Sequence, residues 1–324
     1  MLGRRAPLRP YSAAMTAPSD AIPRHGVLAL FGPTGVGKTA VALAIGRRLR
    51  ASGREPVAVS ADALQLYRGL EVLTGVASAA ERADMDHRLV GIVPLTETFS
   101  AGRFAQLAHA EIDALLARGA VPIVVGGTGL YLRAALTELD LRPVVPDSVA
   151  DRWATRLAAE GAPALHAELA RRAPWAAEPV DPNDAHRITR ALALDDLGAL
   201  TPREGPSELW TAHTRVPTRL VGLVRNRDEL AARIDARVEA MIAAGAAEEV
   251  RAAVAAGASA TARKALGFEH LLAGDMAGMQ RDTRRYAKRQ LTWMRKLSGV
   301  EVIDTTGRDP DAVAGEILAA GPGL

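Results

Sequence analysis

Residues 32–39 read Gly-Pro-Thr-Gly-Val-Gly-Lys-Thr and fit the spacing G-x-x-x-x-G-K-[ST] of a phosphate-binding loop (P-loop). The flanks agree with it. Val27-Leu28-Ala29-Leu30-Phe31 is apolar throughout, as a buried parallel strand should be. Ala40 to Leu49 is helix-forming with a basic end. A loop of this kind points successive backbone N–H groups inward at an anion, and the helix N-terminus adds partial positive charge. Lys38 supplies a mobile full charge, and the Thr39 hydroxyl is a candidate Mg²⁺ ligand. The loop therefore predicts phosphate or diphosphate binding without naming a reaction.

The alternation of elements predicts an α/β fold, a P-loop parallel sheet flanked by helices. Pro56-Val57-Ala58-Val59-Ser60 reads as a second strand, His87 to Val93 as a short one, and Val121-Pro122-Ile123-Val124-Val125 as another buried one. Phe104 to Arg118 has helical spacing and Gly119 ends it. The strand ending at Val125 runs into Gly126-Gly127-Thr128, with no carboxylate at its end. That weakens an ATP-hydrolysing reading; the nearest candidate carboxylate, Asp62, follows a different strand.

From about Asp140 the texture changes. Residues 148–200 are rich in Ala, Arg and Leu and read as helices, broken at Gly161 and at Pro179 to Asp184; Gly198 to Pro206 reads as a loop. Strand character returns at Leu220 to Val224, so the helical stretch is inserted into the α/β domain. The expected boundaries are a disordered tail at 1–24, a core at 25–140 and 217–324, and an inserted helical domain at 141–216. The last third reads as helical: 227–244, 246–256, 268–272 and 280–297. On the last of these Ala287, Leu291, Met294 and Leu297 share one face, and Arg285, Lys288, Arg289, Thr292, Arg295 and Lys296 share another. A one-sided basic helix is either a footprint for a polyanion or a solvated face.

Single residues carry two readings each. Asp62, just past a strand end, is a general base or magnesium partner, or else a helix N-cap. Thr128 either caps the next helix or lines the same cleft. Arg233 and Arg237, one helical turn apart, are a surface pair or cations reaching a diphosphate, and Asp235 is not placed to pair with both. Lys264 to Phe268 is a clamp on nucleic acid or a plain helix–helix turn.

Composition narrows the classes. The 324 residues include no cysteine, which excludes disulfides, cysteine nucleophiles and cysteine zinc sites. Net charge is +3, so the distribution of arginines matters more than their sum. No apolar run approaches a membrane span. The Arg-rich, acid-poor start resembles a transit peptide, but no helical apolar face emerges, so a disordered tail or a start at Met15 is the favoured reading.

Together these blocks resemble the tRNA dimethylallyltransferase (tRNA isopentenyltransferase) family. The resemblance is carried by Gly32 to Thr39, Ser60-Ala61-Asp62, Gln65 to Gly69, His87-Arg88-Leu89 and Gly126 to Tyr131. It continues through Pro182-Asn183-Asp184 with Arg187 and Arg190, Arg233-Ile234 with Arg237, Ala265 to Phe268, and Ala287 to Trp293. It spans roughly Val27 to Asp304, in family order.

The resemblance implies that Gly32, Pro33, Thr34, Gly35, Val36, Gly37, Lys38 and Thr39 hold the diphosphate of dimethylallyl diphosphate, with Mg²⁺ at Thr39. It implies Asp62 as general base, Thr34 near the reacting atoms, Arg237 with Lys38 on the diphosphate, and Thr128 as a further catalytic group. Asp62, Ala63, Leu64, Gln65 and Thr128 would contact the target adenosine. Asp151, His186, Arg187, Ile188, Thr189 and Arg190, and Lys264, Ala265, Leu266, Gly267, Phe268 and Glu269, would contact the tRNA anticodon stem-loop. A cytoplasmic, bacterial-type monomer is implied. Ala63 stands where the family usually has serine, and Phe268 where it has tyrosine. Glu71 to Val76 stands where it has Asp-Ile-Gly-Thr-Ala-Lys. The alternatives are a prenyltransferase of free adenine nucleotides, a small-molecule kinase, and an RNA-binding module without activity.

Overall fold

The computed structural model describes residues 26–202 and 207–320. The expected tail, the Met15 start and residues 203–206 of the expected loop lie outside the described residues. Strand β1 (Val27–Phe31) leads through the P-loop into α1 (Lys38–Ala51), whose last turn carries Arg48 and Arg50 at the negative end of the helix dipole. Then come β2 (Pro56–Ser60), α2 (Glu71–Thr74), α3 (Ala79–Asp84) and β3 (Asp86–Arg88). Helix α4 (Ala101–Ala117) is capped by the Ser100 hydroxyl, which accepts the Arg103 N–H. It is followed by β4 (Val121–Gly126) and α5 (Gly129–Leu136).

Four helices come next: α6 (Asp147–Glu160), α7 (Ala162–Arg172), α8 (Pro174–Ala177) and α9 (Ala185–Asp196). The chain then returns as β5 (Thr218–Val224) and continues as α10 (Arg227–Ala243), α11 (Ala246–Ala255), α12 (Phe268–Leu272) and α13 (Met276–Met294). It closes with β6 (Val300–Asp304) and α14 (Pro310–Ala319).

The six strands form one parallel sheet in the order β3-β2-β4-β1-β5-β6. Alternate residues of β1 feed opposite faces. Val27, Ala29 and Phe31 join one hydrophobic cluster, Leu28 and Leu30 the other, and all five are fully buried. A strand covered by helices on both sides needs this continuous apolar run, because neither face meets water. Val27, Leu28, Leu30 and Phe31 each contribute about 1.5–3 kcal/mol of transfer free energy.

Helices α6 to α9 pack round a cluster of their own, with Trp153, Leu165, Leu169, Ile188 and Leu192 buried. Arg156 and Arg172 lie 4.8 and 5.5 Å from the Trp153 ring centre, and the indole N–H donates to Asp196 at 2.8 Å. The returning segment is tied to the sheet domain by Arg133 of α5, which is 1% exposed. Its guanidinium donates to the carbonyls of Glu208 and His213 at 2.8 and 2.7 Å.

Two expectations are corrected. The stretch His87 to Val93 is not a full strand: pairing stops at Arg88, Leu89 turns the chain at φ 59°, and Val93 touches Tyr67 only as an isolated bridge. The last third is not wholly helical. Residues 300–304 alternate about Ile303, which is buried, and form the edge strand β6. Arg219 of β5 pairs with Glu301 across this edge at 2.8 Å.

Candidate active site

Parallel register makes the site. Phe31 lies level with Gly126, and Ser60 with Val125. The loops leaving β1, β2 and β4 therefore emerge side by side at the carboxyl edge of the sheet, where open α/β sheets bind ligands. They are the P-loop, Ala61-Asp62 and Gly127-Thr128. With α10 and α13 they enclose a cavity of about 690 Å³.

The cavity brings together Thr34, Gly35, Gly37, Lys38 and Thr39 of the P-loop with Asp62, Leu64 and Gln65. Arg233 and Arg237 enter from α10, Lys264 and Leu266 from the turn before α12, and Tyr286, Arg289 and Gln290 from α13. Within the P-loop the Lys38 ammonium donates to the carbonyls of Gly32 and Pro33 at 2.8 and 3.0 Å. Burial lowers its pKa to about 8, the nearby Arg237 adds to the effect, and Asp62 opposes it. Val36 points away into the core.

Asp62 caps no helix: its Oδ1 accepts the Leu64 N–H at 3.0 Å and closes a turn, and the residue lines the cavity. Thr128 precedes α5 but its hydroxyl makes no cap. That hydroxyl instead lies 2.8 Å from the Tyr286 hydroxyl. Burial first, and Asp62 second, raise the Tyr286 pKa, so the phenol stays protonated. Arg233 and Arg237 differ in setting: Arg233 is exposed and Arg237 is partly buried. Arg233 donates to the Gly35 carbonyl at 2.9 Å, and Arg237 faces the cavity. Burial lowers the Arg237 pKa against the pull of Asp62 and Glu81, and among the described residues no protein group hydrogen-bonds its guanidinium. Asp235 pairs with Arg284 of α13.

Several anticipated contacts are corrected. Phe268 is fully buried and Ala265 is 3% exposed, both within the core, so neither side chain can stack on a base. Arg263 lies 5.4 Å over the Phe268 ring, and Glu269 pairs with Arg263 at 2.9 Å. Gly267 packs against Met279. Ile188 is likewise core, at 0% exposed. Asp151, His186, Arg187, Thr189 and Arg190, expected as contacts of the tRNA stem-loop and not of the cavity, lie on α6 and α9, outside the cavity lining; Arg187 pairs with Asp184 at 3.4 Å. Ala63 lies beside the cavity without lining it.

Residues 71–76 form a capped turn. The Glu249 carboxylate accepts the Val72 and Leu73 N–H groups at 2.9 and 2.8 Å, and Glu71 accepts the Gly69 N–H at 2.9 Å. Sequence reasoning overlooked Tyr286 and Gln290. The signal for Gln290 was its place three residues after Ala287 and four before Met294, an uncharged polar side chain on an otherwise apolar stripe.

The likenesses to known proteins agree with this geometry. The family model described as IPP transferase matches residues 65–297. A tRNA dimethylallyltransferase of Kineococcus radiotolerans is 39% identical over 309 residues, covering 91% of this chain and 96% of that protein. One from Anaeromyxobacter sp. (strain Fw109-5) is 43% identical over 291 residues, covering 86% and 94%. The crystal structure of a tRNA isopentenylpyrophosphate transferase from Bacillus halodurans superposes with a TM-score of 0.65 at 30% identity, over 90% of this chain and 94% of that one. With the P-loop, Asp62 and the α10 arginines gathered at one sheet edge, and with relatives this similar over nearly their whole length, the chain belongs to the IPP transferase family.

Proposed function

We propose that this protein transfers a dimethylallyl group from dimethylallyl diphosphate to N6 of the adenosine immediately 3′ of the anticodon, in tRNAs reading codons that begin with U. The observation that carries the reading is the cavity itself. It sets a carboxylate, Asp62, across from a phosphate loop with two further cations, Lys38 and Arg237.

The adenine N6 lone pair is delocalised into the ring and is a poor nucleophile. The Asp62 carboxylate accepts the N6 proton as the new N–C bond forms, which raises that reactivity. The allylic C–O bond breaks, and diphosphate leaves with the electron pair. An allylic carbon tolerates partial positive charge, so stabilising the leaving group dominates. P-loop N–H groups, Lys38 and Arg237 supply that stabilisation in an enclosed site.

The donor set fits Mg²⁺. Among the described residues no three His, Cys, Asp or Glu side chains gather. Mg²⁺ keeps several waters and takes one or two protein oxygens beside substrate phosphates, and Thr39 with Asp62 offers that number. When bound, the ion would neutralise charge on the diphosphate.

The basic outer face of α13, continued by the two residues after it, supports RNA over a free nucleotide, since Arg285, Lys288, Arg289, Thr292, Arg295 and Lys296 are all exposed. His186, Arg187 and Arg190 of α9, with Asp151 of α6, are exposed and available to the same RNA. Among the described residues no helix is long and apolar enough to cross a membrane. The test combines purified protein, Mg²⁺, labelled dimethylallyl diphosphate and unmodified tRNA with adenosine at the last anticodon position and beside it. N6-prenylated adenosine in the digested tRNA, with none on free AMP, is expected. No product at stoichiometric enzyme overturns the reading.

A further inference from the structure

Helix α13 reaches the site through three side chains one or two turns apart. Tyr286 meets the Thr128 hydroxyl at 2.8 Å. The Trp293 ring packs on Gly129. Between them Gln290, 3% exposed, uses both ends of its carboxamide. Oε1 accepts the Thr34 N–H at 2.8 Å, and Nε2 donates to the Gly127 carbonyl at 2.8 Å. Residue 127 has no room for a side chain, because the Gln290 amide nitrogen already fills that place. The Thr34 N–H is thereby committed to Gln290, as the Val36 N–H is to the Pro33 carbonyl at 3.3 Å.

One acceptor and one donor on a single planar group are what these two loops demand. A carboxylate would lack the donor, and a hydrocarbon would lack both. The opposite face of α13 is the exposed basic one. We infer that Gln290 is a positioning residue. Its carboxamide holds the P-loop at Thr34 and the β4 loop at Gly127-Thr128 in fixed register, so that group transfer depends on how α13 is seated. The inference rests on the reading of this cavity as a prenyl-transfer site.

The test uses the full chain with Gln290→Leu and Gln290→Glu beside the unaltered protein. Misplacing reacting groups by about 1 Å costs on the order of 10²-fold in rate, and that fall in kcat is expected for Gln290→Leu. Its KM for dimethylallyl diphosphate should move by less than about threefold, since the lost contact is not one with the ground-state substrate. Hydrogen exchange in segment 32–37 should accelerate, because the Thr34 amide has lost its acceptor. Gln290→Glu keeps the shape. Ionised, it can accept from Thr34 but has no proton for Gly127; protonated, it has both. Its kcat, taken as a ratio to the unaltered protein at each pH, should rise as pH falls.

The ratio matters because Asp62, Lys38, Arg237, Tyr286 and Arg289 line the same cavity and shape both profiles. An unchanged kcat in Gln290→Leu overturns the inference, as does unchanged exchange in 32–37 or a flat ratio in Gln290→Glu. If Gln290→Leu does not fold, the isosteric Gln290→Glu decides alone through its pH ratio and its exchange. If the unaltered protein transfers nothing, the reading of the site fails, and exchange in 32–37 still decides whether Gln290 clamps the loops.

Discussion

The Arg237 guanidinium lies directly against Gly75, in the space that a β-carbon on that residue would occupy. Gly75 ends α2 in the left-handed region at φ 62°. The bare backbone there lets the arginine reach into the cavity beside Lys38. Gly75 thus seats a cation that lines the cavity.

Gly75→Ala tests that seat. The guanidinium is the far end of a flexible side chain, so the fold yields by moving Arg237. Left-handed alanine adds about 1–2 kcal/mol of backbone strain, read as a small fall in Tm. Losing a charge-assisted contact worth about 1.5–3 kcal/mol should raise KM for dimethylallyl diphosphate by about tenfold to a hundredfold. An unchanged KM would show that Arg237 does not meet the diphosphate.

Asp62→Asn separates the two roles of Asp62. An asparagine oxygen still accepts the Leu64 N–H, so the turn survives. It cannot take a proton at neutral pH. Single-turnover rates should fall by about 10²–10⁴-fold while tRNA affinity and Tm hold. Parallel loss of Tm and tRNA binding would make Asp62 a structural residue instead.

The pH dependence follows from Lys38, whose pKa is about 8 in the free protein against 10.5 ordinarily. Below pH 8 the ammonium is charged, as the proposed diphosphate contact requires; above it the free protein has lost that charge. KM for the diphosphate substrate should rise above pH about 8. Binding just above that pH should take up a proton, measurable by calorimetry in buffers of different ionisation enthalpy. Stability runs the other way. Between pH 8 and 10.5 the unfolded chain holds a proton that the folded chain lacks, so this group makes the free fold more stable as pH rises. Lys38→Met should remove both trends.

Charge reversal on the outer face of α13 addresses RNA binding. Lys288→Glu and Arg295→Glu lie on exposed positions away from the packed stripe. Each should weaken tRNA binding and lower the slope of log affinity against log salt by about one where a phosphate contact is lost. KM for dimethylallyl diphosphate should stay put. No change in tRNA affinity would mark this face as merely solvated.

Much of the architecture was legible from local chemistry. Val27 to Phe31 could only be a buried strand, and the P-loop spacing could only sit between it and a helix. Gly119 ends α4 and Gly161 splits α6 from α7, because breakers act within a few residues, while the Ser100 cap starts α4 at Ala101, three residues ahead of the expected Phe104. Strand β6 was missed because an edge strand is half exposed, and Val300 to Asp304 is too short to declare its period against the helical texture before it. Phe268 and Ile188 were misjudged for a related reason. An aromatic or aliphatic residue beside cations reads alike whether it meets a base or the core, and burial alone separates the two cases.

The linear order of residues thus carries the elements, the anion-binding loop, and the charge and carboxylate that the proposed transfer calls on. It is silent on partners that lie hundreds of residues apart. Gln290 meets Thr34 across 256 positions, and Tyr286 meets Thr128 across 158. Glu249 caps the turn at Val72, and Arg237 rests on Gly75. Those contacts depend on parallel register and on how α10, α11 and α13 close over the sheet edge. Burial then sets what each group can do. It lowers the Lys38 pKa to about 8, keeps the Tyr286 phenol protonated and leaves Arg237 for a ligand to satisfy.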